Sequence, residues 1–382
     1  MKKNALFRFV VLVAAMMCVL GASAAEAYAC YTSSNTTLTF YYDNNRSSRS
    51  GTTYDLNTGS NSPGWISDGT NKSVTRVVFN SSFASARPTS TLNWFMNMEN
   101  LQSILSMQYL NTSQVTDMSC MFYCCRSLTN IDLSHFNTQK VTDMNSMFYS
   151  CTGLTSLDVS HFNTANVTNI ANMFGGCSGL TSLDVSNFNT ANVISMAVTF
   201  QDCSALTSLD VSNFNTANVI YMSSLFSGCS SLTSLDLSSF STANVTSMLS
   251  MFYDCTNLAT IYAGSGWTTA AVTGSSYMFT DCVKLVGGKG TTYNANHVDA
   301  TYAHIDGGTS NPGYFTAKNA GLRGDVNGDG SVNISDVTAL IDYLLSSNAA
   351  GVNLTSADCN QDSSVNISDV TALIDYLLSG SW

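Results

Sequence analysis

The chain repeats itself every 26 residues, and nothing else in it limits the fold so tightly. LTSLDVSHFNTANVTNIANMFGGCSG begins at Leu154 and LTSLDVSNFNTANVISMAVTFQDCSA at Leu180, with near-copies from Leu128, Leu206, Leu232 and Leu258. Degenerate units from Val74 and Leu101 bring the total to about eight. The last complete unit carries one extra residue, so Trp267 falls where Phe136, Phe162, Phe188, Phe214 and Phe240 stand. A unit this short cannot bury its own apolar face and must stack on its neighbours. The pattern L-x-x-L-x-[VL] predicts a short strand. V-T-x-M-x-x-M-F, with apolar residues three and four apart, predicts one or two helical turns.

One strand, a turn and a short helix per unit make a leucine-rich repeat coil. The expected fold class is therefore an α/β leucine-rich repeat solenoid of about eight 26-residue coils with one parallel sheet, followed by a small all-α tail. Columns of the repeat divide by chemistry. The Leu, Phe and Met-Phe columns recur in every unit and read as core. Asn163, Asn189 and Asn215, and Asn166, Asn192, Asn218 and Asn244, read as amides that satisfy main-chain groups at turns. Seven of the 12 cysteines form a column from Cys125 to Cys282. Stacked equivalents point the same way and seven is odd, which favours buried thiols over disulfides. Cys120 and Cys124, four apart, are a weak metal signal.

Asp132, Asp158, Asp184, Asp210 and Asp236 form the column with most functional interest. Each follows the second Leu or Ile of its strand and so faces outward. No Lys or Arg lies between Leu154 and Cys255, and a row of like charges at strand spacing costs energy. One reading is a solvated edge sharing hydrogen bonds with Ser156 and Ser160. The other is a stripe that binds a cation or another ligand. The units resemble the BspA-like leucine-rich repeats of bacterial surface proteins, over roughly residues 74–284. That resemblance implies display outside the cell and adhesion or protein binding, with an unknown protein or glycan as ligand.

Charged residues make up only 10% of the chain and the net charge is −11, with no basic stripe, so nucleic acid is excluded as a partner. MKKNALFRF, VVLVAAMMCVLG and ASAAEA read as the basic, apolar and small-residue parts of a secretory signal peptide at 1–24. No later segment is apolar enough for a transmembrane anchor. The expected organisation is then an N-terminal β cap at 25–73, repeats at 74–284, a C-terminal cap and linker at 285–320, and the tail at 321–382. Export, to the extracellular space or the bacterial cell surface, is the expected localisation.

The tail carries DVNGDGSVNISD from Asp325 and DCNQDSSVNISD from Asp358. A 12-residue loop supplies oxygen ligands to a hard cation from positions 1, 3, 5, 7, 9 and 12, with glycine at 6 for the turn. The first set is Asp325, Asn327, Asp329, the Ser331 carbonyl, Asn333 and Asp336, around Gly330. The second is Asp358, Asn360, Asp362, the Ser364 carbonyl, Asn366 and Asp369, with Ser363 at the turn position. Two calcium ions are the expected cofactors. Each loop runs into the same helix, ISDVTALIDYLLS, whose Val337, Leu340, Ile341, Leu344 and Leu345 (Val370, Leu373, Ile374, Leu377 and Leu378 in the second copy) read as one apolar stripe.

A calcium loop with only an exiting helix, present twice, resembles a type I dockerin over residues 324–382. The resemblance implies docking onto a cohesin module of a scaffold or cell-surface protein. Its contact positions fall here on Ile334, Ser335, Ile341 and Asp342, and on Ile367, Ser368, Ile374 and Asp375. A bland alternative is that Ile341 and Ile374 pack the two helices together. The leading functional reading is a secreted, non-catalytic adhesion or binding protein in a cellulosome-like complex. The alternative is an accessory or enzymatic component of a polysaccharide-degrading assembly. Glycoside hydrolysis needs two carboxylates across a cleft, whereas the chain offers a regular Asp column.

Overall fold

The structure is a computed structural model that describes residues 24–318, 322–328, 331–349, 352–362 and 364–382. The segment expected to be a signal peptide at 1–24 lies, up to residue 23, outside the described residues, as do Asp329, Gly330 and Ser363 of the tail loops. Strands β1 (Glu26–Thr32), β2 (Thr37–Asp43) and β3 (Thr52–Asp55) pair antiparallel, β1 lying between the other two. β2 then pairs in parallel with β4 (Arg76–Phe79), and β4 with β5 (Ser103–Leu105), giving a mixed sheet in the order β3-β1-β2-β4-β5. A short helix α1 (Gly64–Ser67) seats the buried Trp65 against Phe40 and Trp94. A second sheet is parallel, in the order β6 (Ser234–Leu237), β7 (Thr260–Ala263), β8 (Phe315–Ala317).

The expected α/β leucine-rich repeat solenoid with one parallel sheet is therefore overturned. Among the described residues the two sheets are separate, and none of the four α-helices lies in the 26-residue units. Backbone geometry explains the missing helices. In M-x-C-M-F-x-C, Cys120 and Cys124 take φ of 53° and 57°, a left-handed conformation no helix interior accepts. The amides of Met121, Tyr123 and Cys125 close turns on Met118, Cys120 and Phe122. The amides between them, of Cys120, Phe122 and Cys124, go instead to the carbonyls of Asn145, Met147 and Tyr149 in the next unit. Apolar spacing of three and four is met by successive turns, and half the main-chain donors are spent between units.

The strands at L-x-x-L-x-[VL] form only at the ends of the array. From Leu128, Leu154, Leu180 and Leu206 no strand forms. Of the aspartate column only Asp236 lies in a strand, and Lys318, just beyond β8, forms an ion pair with it. At Asp132, Asp158, Asp184 and Asp210 like charges face one another, which opposes pairing. Units stay in register through isolated parallel bridges along Asp117, Asp143, Asn169, Ser195, Tyr221, Ser247 and Gly274.

Side-chain ladders hold the units together. The rings of Phe122, Phe148, Phe174, Phe200, Phe226, Phe252 and Phe279 stack with centroids 5.4–6.0 Å apart. Each column thiol donates to a phenylalanine carbonyl of the preceding unit, as Cys177 Sγ does to Phe148 O at 3.1 Å. All cysteines among the described residues are free. The Asn columns serve the turns: Asn163 Oδ1 accepts from Ala165 N, and Asn192 Nδ2 donates to Ala165 O. Trp267 packs edge-on against Phe315 of β8 at 4.9 Å and donates to Ala303 O.

The tail has its own core of Val326, Val337, Leu340, Ala357, Cys359, Val370 and Leu373. Helices α2 (Ile334–Ser346) and α4 (Ile367–Ser379) pack together, with the short α3 (Leu354–Ala357) between them in sequence. Among the described residues no helix is long and apolar enough to cross a membrane.

Candidate functional site

The two tail loops are built by the caps of the helices they feed. Asn333, at loop position 9, is the N-cap of α2, and its Oδ1 accepts from Ser335 N at 2.8 Å. Asp336, at position 12, closes the capping box: Oδ2 accepts from Asn333 N at 2.9 Å, and Oδ1 reaches back to accept from Asn327 N at 3.0 Å. Asn366 and Asp369 repeat this on α4, the carboxylate accepting from Asn360 N at 3.0 Å and Asn366 N at 2.8 Å. Positions 9 and 12 thus fix both the helix start and the loop's closure.

In the second loop, Asp362 N donates to Asp358 Oδ1 at 3.1 Å and to Asn360 Oδ1 at 2.9 Å. Asp362 Oδ1 accepts from Ser364 N, and Asn360 Nδ2 donates to Asp362 Oδ2. Positions 1, 3 and 5 are thereby gathered around one amide. In the first loop Asp329 is outside the described residues, Asp325 is buried, and Asn327 Nδ2 donates to Ser335 Oγ. Ser331 and Ser364 are exposed, as their carbonyl role allows.

This donor set suits a hard cation. Asp336 and Asp369 are fully buried, and every hydrogen bond described to their carboxylates comes from a neutral main-chain amide. No lysine or arginine pairs with either among the described residues. A buried charge needs compensation, and an oxygen-only loop directs that need to a cation of the calcium type. No group of three or more His, Cys, Asp or Glu side chains forms a metal cage among the described residues. The loop sets draw instead on amide and main-chain oxygens as well. Cys120 and Cys124 belong to no such group either.

The helix faces separate what the sequence had merged. Val337 and Leu340 are buried, with Val370 and Leu373 their equivalents. Ile341, Leu345, Ile374 and Leu378 are exposed, Leu345 at 82% and Leu378 at 83%. Ile334 and Ile367 are each 71% exposed. At 100° per residue, Ile334, Ile341 and Leu345 fall on one line along α2, and Ile367, Ile374 and Leu378 on one line along α4. Ile341 and Ile374 therefore do not pack the helices together. Ser335, Asp342, Ser368 and Asp375 are exposed beside these lines. Leu345 and Leu378 were missed as surface residues because i, i+3, i+4 spacing cannot tell a broad core face from two narrow ones.

The Asp column is occupied by local structure. Oδ1 of Asp132, Asp158, Asp184, Asp210 and Asp236 accepts from the amide two residues on, at Ser134, Ser160, Ser186, Ser212 and Ser238. Hydrogen bonds from those serines hold the first four carboxyls below their ordinary range. For Asp236, burial pushes upward, and Lys318 and Ser238 outweigh it. A second ladder was overlooked in the FNTANV segment. Thr138 Oγ1 donates to Asn163 O and accepts from Asn163 N, and Thr164 and Thr190 repeat this clip. The recurrence of Thr at that column was the available signal.

Residues 89–208 and 178–289, together more than half of the chain, match the family described as "Mycoplasma protein of unknown function, DUF285". The chain belongs to that family. Residues 323–378 match the dockerin type I domain. Type I dockerin domains bind calcium and dock onto cohesin-bearing complexes, and they occur in extracellular proteins. No curated protein and no solved structure matches the chain.

Proposed function

We propose that the chain is an exported, non-catalytic binding protein of the bacterial surface, plugged by its dockerin into a cohesin-bearing extracellular complex while its repeats engage a ligand. The observation that carries the docking half is the pair of exposed apolar lines, Ile334–Ile341–Leu345 and Ile367–Ile374–Leu378. Burying such lines against a partner is favourable at about 25 cal/mol per Å², and the domain match supplies the partner class. Two calcium ions are held by the two loop sets, Asp325 to Asp336 and Asp358 to Asp369. Bound calcium would supply the positive charge that offsets the carboxylates of the two loops. The protein's own contribution is order: Asn333 and Asn366 start the helices, and Asp336 and Asp369 tie each loop to its helix.

Calcium-dependent capture tests the reading. The full chain and an Ile334→Asp/Ile367→Asp variant are passed over immobilised cohesins from the producer's surface proteins, with calcium or with chelator. Capture of the wild type in calcium only, with loss in the variant, is expected. Capture that survives chelator would refute it. The non-catalytic half is tested by assaying plant and host glycans, where only background hydrolysis is expected.

A further inference from the structure

A cleft on the repeats is built from residues outside the Asp column, where side chains are small. It is lined by Gln201 and Asp202 of one unit, Ser224, Ser227 and Gly228 of the next, Ser250, Tyr253 and Asp254 of the third, and Tyr277 beyond, and encloses about 450 Å³. The column of Ser227 holds Tyr123 and Tyr149 in earlier units, where the rings stack at 5.0 Å, then Gly175, Gln201 and Ser227, and Tyr253 in the following unit. The stack thus ends at Gly175, and Ser227 leaves the cleft without a ring between Gln201 and Tyr253. Beside it Gly228 has φ +70°, and a Cβ there would collide with Asp202 Oδ1. The floor is therefore small by sequence, and the walls carry two carboxylates and two exposed tyrosines, Tyr253 at 39% and Tyr277 at 60%.

The units are joined across this floor by Asp202 N to Ser227 O and Gly228 N to Tyr253 O, both 2.7 Å. Asp202 and Asp254 lie two units apart, roughly 10 Å at strand spacing. No Lys or Arg occurs in the sequence between Lys140 and Lys284, and among the described residues neither Asp202 nor Asp254 takes part in an ion pair. Carboxylates flanking aromatic faces attract a cation twice over, by charge and by the ring quadrupole. We propose that this cleft binds a guanidinium or ammonium side chain on a basic peptide segment of a protein partner. The proposal rests on the binding reading of the repeats and not on the dockerin.

The test measures binding of fluorescein-labelled acetyl-Arg-Gly-Arg-amide to the full chain in calcium at low salt. Ser227→Tyr fills the cleft with the residue its column carries elsewhere, and Asp254→Asn removes one wall charge. Asp158→Asn removes the same charge far from the cleft. About a fivefold loss is expected for each cleft variant, and less than about twofold for Asp158→Asn. Tyr253→Ser replaces Ser227→Tyr should the latter fail to melt cooperatively. Equal losses in Asp254→Asn and Asp158→Asn would mean diffuse attraction and overturn the proposal. So would binding of neutral xylohexaose, blocked by Ser227→Tyr, with no binding of the peptide. The Ile334→Asp/Ile367→Asp variant, deficient only in docking, should bind the peptide normally, which separates failure here from failure of the dockerin reading.

Discussion

Replacing Cys177 by alanine and by serine separates two accounts of the buried thiol column. The Cys177 side chain is fully buried, and its Sγ lies 3.1 Å from Phe148 O, which also accepts from Cys151 N. Burial pushes its thiol up to about 12, so it carries its proton at any working pH and donates. Alanine forfeits the burial of about one methylene-sized group, roughly 1 kcal/mol, leaves a void costing about 0.5 kcal/mol, and loses a hydrogen bond worth about 0.5–1 kcal/mol. The total is about 2 kcal/mol. Serine forfeits the same sulfur but keeps a donor, so it should be milder than alanine by about 0.5–1 kcal/mol. A thiol that merely fills space gives the opposite order, because serine would then bury an unbonded hydroxyl at about 1–3 kcal/mol. Urea unfolding of the full chain, followed by tryptophan fluorescence with m held common, reads the difference. Serine more destabilising than alanine would refute the donor account.

Chelator should lower both the helix signal and the melting temperature of the tail, because eight aspartates from Asp325 to Asp375 have no Lys or Arg among them; an unchanged circular-dichroism melt would contradict this. The segment VNISDVTALIDYLLS occurs at both 332–346 and 365–379, so disabling one face with Ile334→Asp and Ser335→Asp should weaken cohesin binding by only about RT ln 2, ~0.4 kcal/mol, and calorimetry showing a tenfold loss would mean that one orientation alone is used. Burial pushes the Asp306 carboxyl upward, but hydrogen bonds from Thr291, Gly308 and Lys289 take it well below its ordinary value. Its stabilisation is therefore present at neutral pH and lost as pH falls from about 4 toward the folded value. The melting-temperature gap between wild type and Asp306→Asn should shrink on acidification from pH 6 to pH 3, and a constant gap would argue against it.

Period and chemistry were legible in the sequence; backbone conformation was not. The 26-residue period correctly placed Phe, Met and Cys in the core, because burial repeats with the sequence. The helices failed because spacing of three and four is satisfied equally by a helix and by turns punctuated with left-handed residues. The positions that take positive φ (Cys120, Ser146, Asn172, Val198, Ser224) are not confined to one residue type and include none of the glycines that would announce it. The strands failed for a different reason: L-x-x-L-x-V encodes which side faces inward, not whether neighbouring units pair, and partners such as Lys318, 82 residues from Asp236, are distant in sequence. In the tail, the loop spacing reported a local ring of oxygens and needed no tertiary information. The split of each apolar stripe into a core side and an outer side did need it, since only the packing of α2 on α4 decides where the core ends.

The two ends of the tail are fastened to each other. Trp382 stacks on Tyr376 at 4.3 Å, and the Arg323 guanidinium lies over its ring at 4.2 Å. Gly324, at φ +90°, has no room for a Cβ against Trp382 and Leu373. A module closed on itself in this way has no preferred beginning. Its ends can be ligated through a short linker and new ends opened in the connector between α2 and α3, giving a circular permutant that keeps both loops, both helices and both outward apolar lines. The same geometry warns against a purification tag fused directly after Trp382, since the added chain would start beneath the residue that enters the module.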